Sequence, residues 1–470
     1  MRKILRIIQL ALFMSLSLTA QVAKTVYCIP GGLYASITKS EILTVTDLTI
    51  TGSIDARDFA IMRDSMVVLS SVDISTVSIM AYTGTEGTTG FGVYPVNAIP
   101  DAAFYYIPSS GLGKKSLKSF IFPTTITTIR ENAFRGTGLT SIAIPSLVTT
   151  IGDFAFSSCP GLKSINIPSS VTSIGRYSFS DCTGSTSISI SSLLNTIGDY
   201  AFVDSSGLIT VEPGNPNYSS LDGLLYNNTK TQLINCPISK SGSLIIPSSV
   251  DFIGIYAFYG CTALTSVIIP SSVNIINDAA FEYCTGLTSV NIPPSVKTIG
   301  TSAFQMCSGL TSVIIPTSVI SIGTFSFYGC TSLTSIYANS ISPVDLTSKI
   351  DVFYGVDKST CTLYVPTGSK SVYQTANKWQ DFVNISELIT DFPTPNNENI
   401  KIYPNPVTDN FCVSGVVGAA ALTVSDLNGK IKISRKFKGY EKIAADNLPR
   451  GLYMVKIILN AGVSEIKIIK

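Results

Sequence analysis

The sequence predicts a β-rich solenoid, mostly strand and short turn, followed by a small all-β sandwich. The first observation is a block of 23 residues that opens at Pro145, Pro168, Pro247, Pro270, Pro293 and Pro316. A copy with serine in the proline place opens at Ser191, and a copy one residue shorter opens at Pro123. A fixed period of this length marks a stack of supersecondary units. The second observation is register. Val148, Val171, Leu194, Val250, Val273, Val296 and Val319 stand three places after the opening residue, and Ile151, Ile174, Ile197, Ile253, Ile276, Ile299 and Ile322 six places after it. Phenylalanine stands at place eleven throughout: Phe134, Phe156, Phe179, Phe202, Phe258, Phe281, Phe304 and Phe327. Leu162, Leu208, Leu264, Leu287, Leu310 and Leu333 take place seventeen. One copy cannot bury these side chains, whereas stacked copies bury them in one column. The third observation is that the period stops before residue 400 and alternating strand patterns take over.

The elements follow in chain order. Met1, Arg2, Lys3 and Arg6 precede an apolar run from Ile7 to Leu18, and Thr19-Ala20 supplies small residues, so residues 1–20 read as an export signal. That run is short for a span, and later apolar stretches are broken by Ser, Thr, Gly or Pro, so the mature form carries no membrane span. Residues 21–98 show no clear register and read as an N-terminal cap. In it Ile42 to Ile50 alternates like strands, Asp55 to Met62 reads as a short helix, and Val67 to Ile79 returns to strand spacing. The run from Gly84 to Gly92 has no lysine and no helix pattern after it, so it reads as a surface loop and not a phosphate loop.

Residues 99–388 form the repeat array with its C-terminal cap. Each copy ends in a strand such as Thr265-Ser266-Val267-Ile268-Ile269, with Val267 and Ile269 on one face. The array is interrupted near 211–246, where Asp222-Gly223 and Asn227-Asn228 supply turn chemistry, and a hairpin insertion is expected there. It reads equally as a tolerated loop or as a binding protrusion.

The repeat, with its Ile-Gly, Ala-Phe and Cys places, resembles the leucine-rich repeats of the BspA-like family of bacterial surface proteins. Asn215-Pro216-Asn217-Tyr218 with Leu221-Asp222-Gly223, and the exit segment Cys361 to Gly368 with Tyr373, Trp379, Phe382 and Ile385, resemble that family too. The resemblance covers roughly residues 40 to 390. It implies a leucine-rich-repeat solenoid, exported, used for adhesion or protein recognition, and without an active site.

Residues 389–399 are polar and proline-bearing and read as a linker. Residues 400–470 carry more lysine, and their alternating runs, with Asn428-Gly429 as a hairpin turn, predict an immunoglobulin-like sandwich. Ile402-Tyr403-Pro404-Asn405-Pro406, Val424 to Lys430 and Leu448-Pro449-Arg450-Gly451-Leu452-Tyr453 resemble the C-terminal sorting domain of the type IX secretion system of Bacteroidetes. That resemblance implies engagement with the type IX machinery through residues 400–470 and delivery to the cell surface or the medium.

Composition narrows the function. The net charge of +2 gives no footprint for nucleic acid, and histidine, the commonest general base and metal ligand, is absent. Asp153, Asp181, Asp199, Asp204, Asp251, Asp278 and Glu282 fall at scattered places with no repeating pair, so no catalytic residue, cofactor site or metal site is assigned. Cys159, Cys182, Cys261, Cys284, Cys307 and Cys330 keep the register, with Ser205 in the same place of the Ser191 copy. Their spacing is unlike paired metal motifs; stacked thiols are favoured over disulfides between neighbouring rungs. The candidate binding face is the outward side of the stacked strands: Ser164, Asn166, Ser266, Ile268, Ser289, Asn291, Ser312, Ile314, Ser335 and Tyr337. The expected function is non-enzymatic binding of a protein or glycan partner at the cell surface. A self-associating matrix component and a secreted hydrolase are the alternatives.

Overall fold

A computed structural model describes residues 21–106, 112–388, 401–403, 410–414, 419–426, 430–438, 441–449, 451–459 and 462–470. The signal segment, the linker and the Asn428-Gly429 turn lie outside the described residues. The chain divides into two compact units, one of Met1–Tyr364 with Ser371–Ser386, the other of Val365–Lys370 with Glu387–Lys470.

The larger unit is a solenoid in which most rungs contribute one longer strand and one two-residue strand. The longer strands pair in parallel with a step of one repeat, as in Ser289 with Ser312 and Val290 with Val313. The short strands do the same on the other side, as in Ile276 with Ile299. Between these ladders lies the core. The valines, leucine and isoleucines of places three and six and the phenylalanines of place eleven are buried, Ile197 only partly so. Phenylalanine rings stack almost parallel from rung to rung, as Phe258 on Phe281 at 4.7 Å and Phe281 on Phe304 at 5.2 Å.

The turn that carries each phenylalanine passes twice through left-handed backbone. Place nine does so at Phe154, Tyr177, Tyr200, Tyr256, Ala279, Ser302 and Phe325, and place thirteen at Ser158, Asp181, Asp204, Tyr283 and Met306. None of these is β-branched, as that conformation requires. The turns form a ladder of their own, since the amides of Phe154, Phe156 and Ser158 donate to the carbonyls of Arg176, Ser178 and Ser180. The glycine of place seven permits this approach: a Cβ on Gly175 would lie 2.5 Å from the Asp153 nitrogen.

Hydroxyls and thiols finish the rungs. Thr288, Thr311 and Thr334 donate to the carbonyls of Thr265, Thr288 and Thr311 in the rung before. Ser272, Ser295 and Ser318 do the same to Val250, Val273 and Val296. All six register cysteines are buried free thiols. Those of Cys182, Cys284, Cys307 and Cys330 donate to the carbonyls of Phe156, Phe258, Phe281 and Phe304 at 3.0 to 3.3 Å. Ser205 shows that a hydroxyl serves equally, donating to Phe179 at 2.5 Å. Burial pushes the Cys159 thiol up to about 11 and that of Cys330 to about 12, which makes them unreactive near neutrality. Changing Cys261, Cys284, Cys307 and Cys330 together to Ser is therefore expected to leave a folded solenoid. Changing them to Ala is expected to lower stability by about 1 kcal/mol per lost donor. Urea titration followed by circular dichroism checks both, and an unfolded serine variant would contradict the stacked-thiol arrangement.

Several sequence expectations are corrected here. Ile42 to Thr44 belong to a helix, Lys39–Thr44, capped by a reciprocal Thr38–Glu41 box, and the strand is Asp47–Ile54. Gly84 to Gly92 is no loop but a hairpin of Tyr82–Gly87 and Gly90–Tyr94. The N-terminal segment, apparently without register, carries the same kind of ladder: Ala23 pairs with Asp47, Asp47 with Ser71, and Ser71 with Ser119, all in parallel. Its helix at Ala56–Asp64 replaces the Phe-bearing turn, which hides the repeat from the eye. Leu208, expected in the core, is 44% exposed. Its rung is two residues short, so Leu208 pairs with Ser187 and takes the outward position.

The interruption near 211–246 contains a hairpin around Asp222-Gly223 and is built into the short-strand ladder. Strands Tyr218–Leu221, Leu224–Asn227 and Gln232–Asn235 form an antiparallel meander whose last strand pairs in parallel with Phe252–Ile253. Leu224, Leu225, Tyr226 and Leu233 are buried and carry the core across the joint. Tyr218 joins the two halves by accepting the Ile197 amide on its hydroxyl at 2.9 Å. At the far end Trp379 is buried against Phe353 and Tyr373 and donates its indole N–H to the Val344 carbonyl at 2.9 Å.

The smaller unit holds two antiparallel sheets. One has the order Lys401–Tyr403, Asn410–Ser414, Glu441–Ala444; the other has the order Ile431–Lys438, Ala419–Asp426, Leu452–Leu459, Gly462–Ile469. Phe411, Val413 and Ile443 of the first share an apolar core with Leu422, Val424, Tyr453, Val455, Ile457 and Ile468 of the second.

Candidate functional site

Strand alternation decides the outward face. Val267, Val290, Val313 and Ile336 point into the core, so their neighbours point to solvent. Parallel pairing at one-repeat offsets then aligns the outward residues in columns. One column is Ser243, Ser266, Ser289, Ser312, Ser335 and Thr362; the next is Ile245, Ile268, Asn291, Ile314, Tyr337 and Tyr364. Eight of the ten predicted face residues fall in these columns. Ser164 and Asn166 lie in a separate three-stranded sheet, aligned with Ser187 and Ser189, and the meander stands between the two sheets in chain order. The structure thus divides the predicted face in two.

The second sheet holds the larger surface. Its hydroxyl column is linked at one end by a bond from Ser266 to Ser243 at 2.8 Å. Its apolar column leaves Ile245 and Ile314 exposed and ends in Tyr337 stacked on Tyr364 at 4.7 Å. No ionisable side chain other than these two tyrosines stands in either column. Ser243 and Ile245 were missed although they stand one repeat before Ser266 and Ile268. Thr362 and Tyr364 were missed because the exit rung is longer, which breaks the count.

The turn side carries a second feature that register alone did not reveal. The aromatics of place nine stack in a column, Phe154 on Tyr177 at 5.0 Å and Tyr177 against Tyr200 at 5.0 Å. At the joint the stacking breaks, and Tyr200 meets Tyr256 edge to face, 5.0 Å apart at 89°. The turn at the joint, Cys236–Ser241, is shorter than the turn between Ile253 and Leu264 in the next rung. Recesses of about 420 Å³ and 520 Å³ open there, both lined by Tyr256 and Val203. The acids now sort by role. Asp153 and Asp278 accept the amides of Arg176 and Thr301 at 2.7 Å and hold rungs together. Asp181, Asp204 and Glu282 have no such employment and line the larger recess with Tyr177, Tyr256 and Tyr259. Among the described residues no group of His, Cys, Asp or Glu is arranged to hold a metal ion.

A parallel two-ladder solenoid with an uncharged strand face, together with a separate two-sheet module, defines a leucine-rich-repeat protein with an appended β module. Residues 97–232 and 234–348 match the BspA type leucine rich repeat region in 6 copies, and the chain belongs to that family. Residues 401–470 match the secretion system C-terminal sorting domain, which places the chain on the type IX route to the cell surface or extracellular space. Among solved structures, a leucine rich cell surface protein from Faecalibacterium prausnitzii is similar over 73% of this chain and 83% of its own, with 24% identity and a TM-score of 0.54. The pneumococcal vaccine antigen PcpA is similar over 78% of this chain and 82% of its own, with 20% identity and a TM-score of 0.51. At these identities the likeness speaks for the fold alone. No curated protein matches the chain. No helix among the described residues is long and apolar enough to cross a membrane.

Proposed function

We propose that this is a non-enzymatic recognition protein, which binds a protein or glycan partner across the outward strand face and so serves adhesion. The observation that carries the reading is the pair of uncharged columns, one of hydroxyls and one of Ile245, Ile268, Ile314, Tyr337 and Tyr364. Solenoids present such extended faces for recognition, and aromatic residues are enriched where interfaces form. Ser164 and Asn166 extend the surface on the first sheet. Asp153 and Asp278 are occupied in holding rungs together, and the chain has no histidine, which takes the commonest general base from the hydrolase reading.

The test is a binding screen of the mature chain against host matrix proteins and a glycan array, repeated with Ile314→Ser/Tyr337→Ser. Both side chains are partly exposed, so the fold should stand. Loss of a buried anchor at an interface is worth about 2 kcal/mol or more, so affinity is expected to fall at least about tenfold. Unchanged affinity for a captured partner would remove the strand face from the proposal. Concentration-dependent sedimentation separates a partner from a second copy of the chain.

A further inference from the structure

We infer that the aromatic recess on the turn side is a second binding site, built to receive an arginine or lysine side chain of a partner protein. Three observations converge on it. First, Asp181, Asp204 and Glu282 meet there from three rungs, and none of their carboxylates makes a hydrogen bond or a close ion pair within the described residues. Their proximity shows in their neighbours. Burial and then the Asp181 charge push Asp204 up to about 6, and burial with the charges of Glu282 and Asp204 pushes the Tyr259 hydroxyl up to about 12. A recess that concentrates unbalanced negative charge against low-dielectric walls attracts a cation.

Second, the walls are tyrosine rings, whose negative faces add to the attraction and whose flat surfaces suit a guanidinium. Third, the chain itself fills the upstream end of the same column in this manner. The Arg135 guanidinium lies 4.7 Å from the Phe154 ring centre and 4.9 Å from that of Tyr105. Arg135 lines the recess at its Phe154 end, so the chain sets one cation of its own against the three carboxylates, which leaves the recess net negative. The upstream neighbourhood is basic, with Lys115, Lys118 and Arg135, so the groove is bipolar along the rungs. A bipolar groove fits a protein segment carrying both charges better than a neutral saccharide. The site lies beside the short turn Cys236–Ser241. It stands apart from the strand face, and its test is independent of that reading.

The probe is a capped peptide, Gly-Arg-Gly-Arg-Gly, titrated calorimetrically into the mature chain, with the same peptide carrying citrulline in place of arginine. Binding of the arginine peptide is expected, with at least tenfold weaker binding of the neutral citrulline form. The double variant Asp181→Asn/Asp204→Asn changes side chains that hold nothing in the fold, and is expected to weaken arginine-peptide binding at least tenfold with an unchanged dichroism spectrum. Tyr256→Leu is expected to weaken it too, while Ile314→Ser/Tyr337→Ser leaves it unchanged. Equal binding of the citrulline peptide, indifference to the two Asn changes, or no arginine-peptide binding would overturn the assignment. So would binding of maltohexaose that Tyr256→Leu abolishes while the arginine peptide fails to bind. Loss of peptide binding on changing only the strand face would move the site to the other side of the solenoid.

Discussion

A chain ending at Leu388 is expected to accumulate in the periplasm and to be almost absent from the surface and the medium. The N-terminal segment, read as an export signal, carries a chain only across the inner membrane. The second crossing falls to the sorting domain matched at 401–470. That module has an apolar core of its own, with Phe411, Val413, Leu422, Val424, Val455, Ile457 and Ile468 among its members, and this is the ground for expecting it to act as a detachable address. The solenoid core is a different cluster, built on the rung valines, isoleucines and phenylalanines. The truncated chain should therefore still melt cooperatively, while fusion of 390–470 to a neutral reporter should carry the reporter to the surface of a host with type IX secretion. Fractionation and surface proteolysis read both results. Normal surface delivery of the truncated chain would make the tail a binding module; failure of that chain to fold would make the tail part of the solenoid's end.

Replacing Phe281 by Ala is expected to cost about 3–5 kcal/mol. Its ring is fully buried between Phe258 and Phe304, at 4.7 and 5.2 Å and within 6° of parallel to each. Neither neighbour can fill the void without leaving its own stack, because every rung is held at fixed register by strands on two sides and by turn amides. The loss also acts on the array. Rung stability in a solenoid depends on neighbouring interfaces, so the stack is expected to weaken first at this point. Urea titration would show a lower midpoint or a second transition, and hydrogen exchange would locate it near residues 258 to 304. A loss below about 1 kcal/mol would contradict the buried column.

Much of the fold was legible because each rung meets a copy of itself. When Phe258, Phe281 and Phe304 recur at one place, the residue that covers each ring is known from the count alone. The same holds for the stacking of the thiols and for the alignment of eight of the ten face residues, whereas the bonds from Cys182 and Ser205 to carbonyls of earlier rungs came only from the structure. Pattern reading failed where that identity fails. The first residues carry the ladder Ala23, Asp47, Ser71, but the helix Ala56–Asp64 takes the place of the Phe-bearing turn, so no side-chain signature repeats. Leu208 kept its place in the count and still turned outward, because a rung two residues short shifts the pairing and so the face.

The sequence by itself determined the stack, its inward residues, its outward hydroxyls and the separate tail, since these follow from period and alternation within and between identical units. Only the tertiary structure decided that Ser164 and Asn166 share a sheet apart from the other face residues, and that Asp181, Asp204 and Glu282 face one recess while Asp153 and Asp278 hold rungs together. The physical reason is that a recess is formed between neighbouring rungs. The turn Cys236–Ser241 is only a short segment along the chain, and the recess beside it exists only once the rungs of Tyr200 and Tyr256 are stacked.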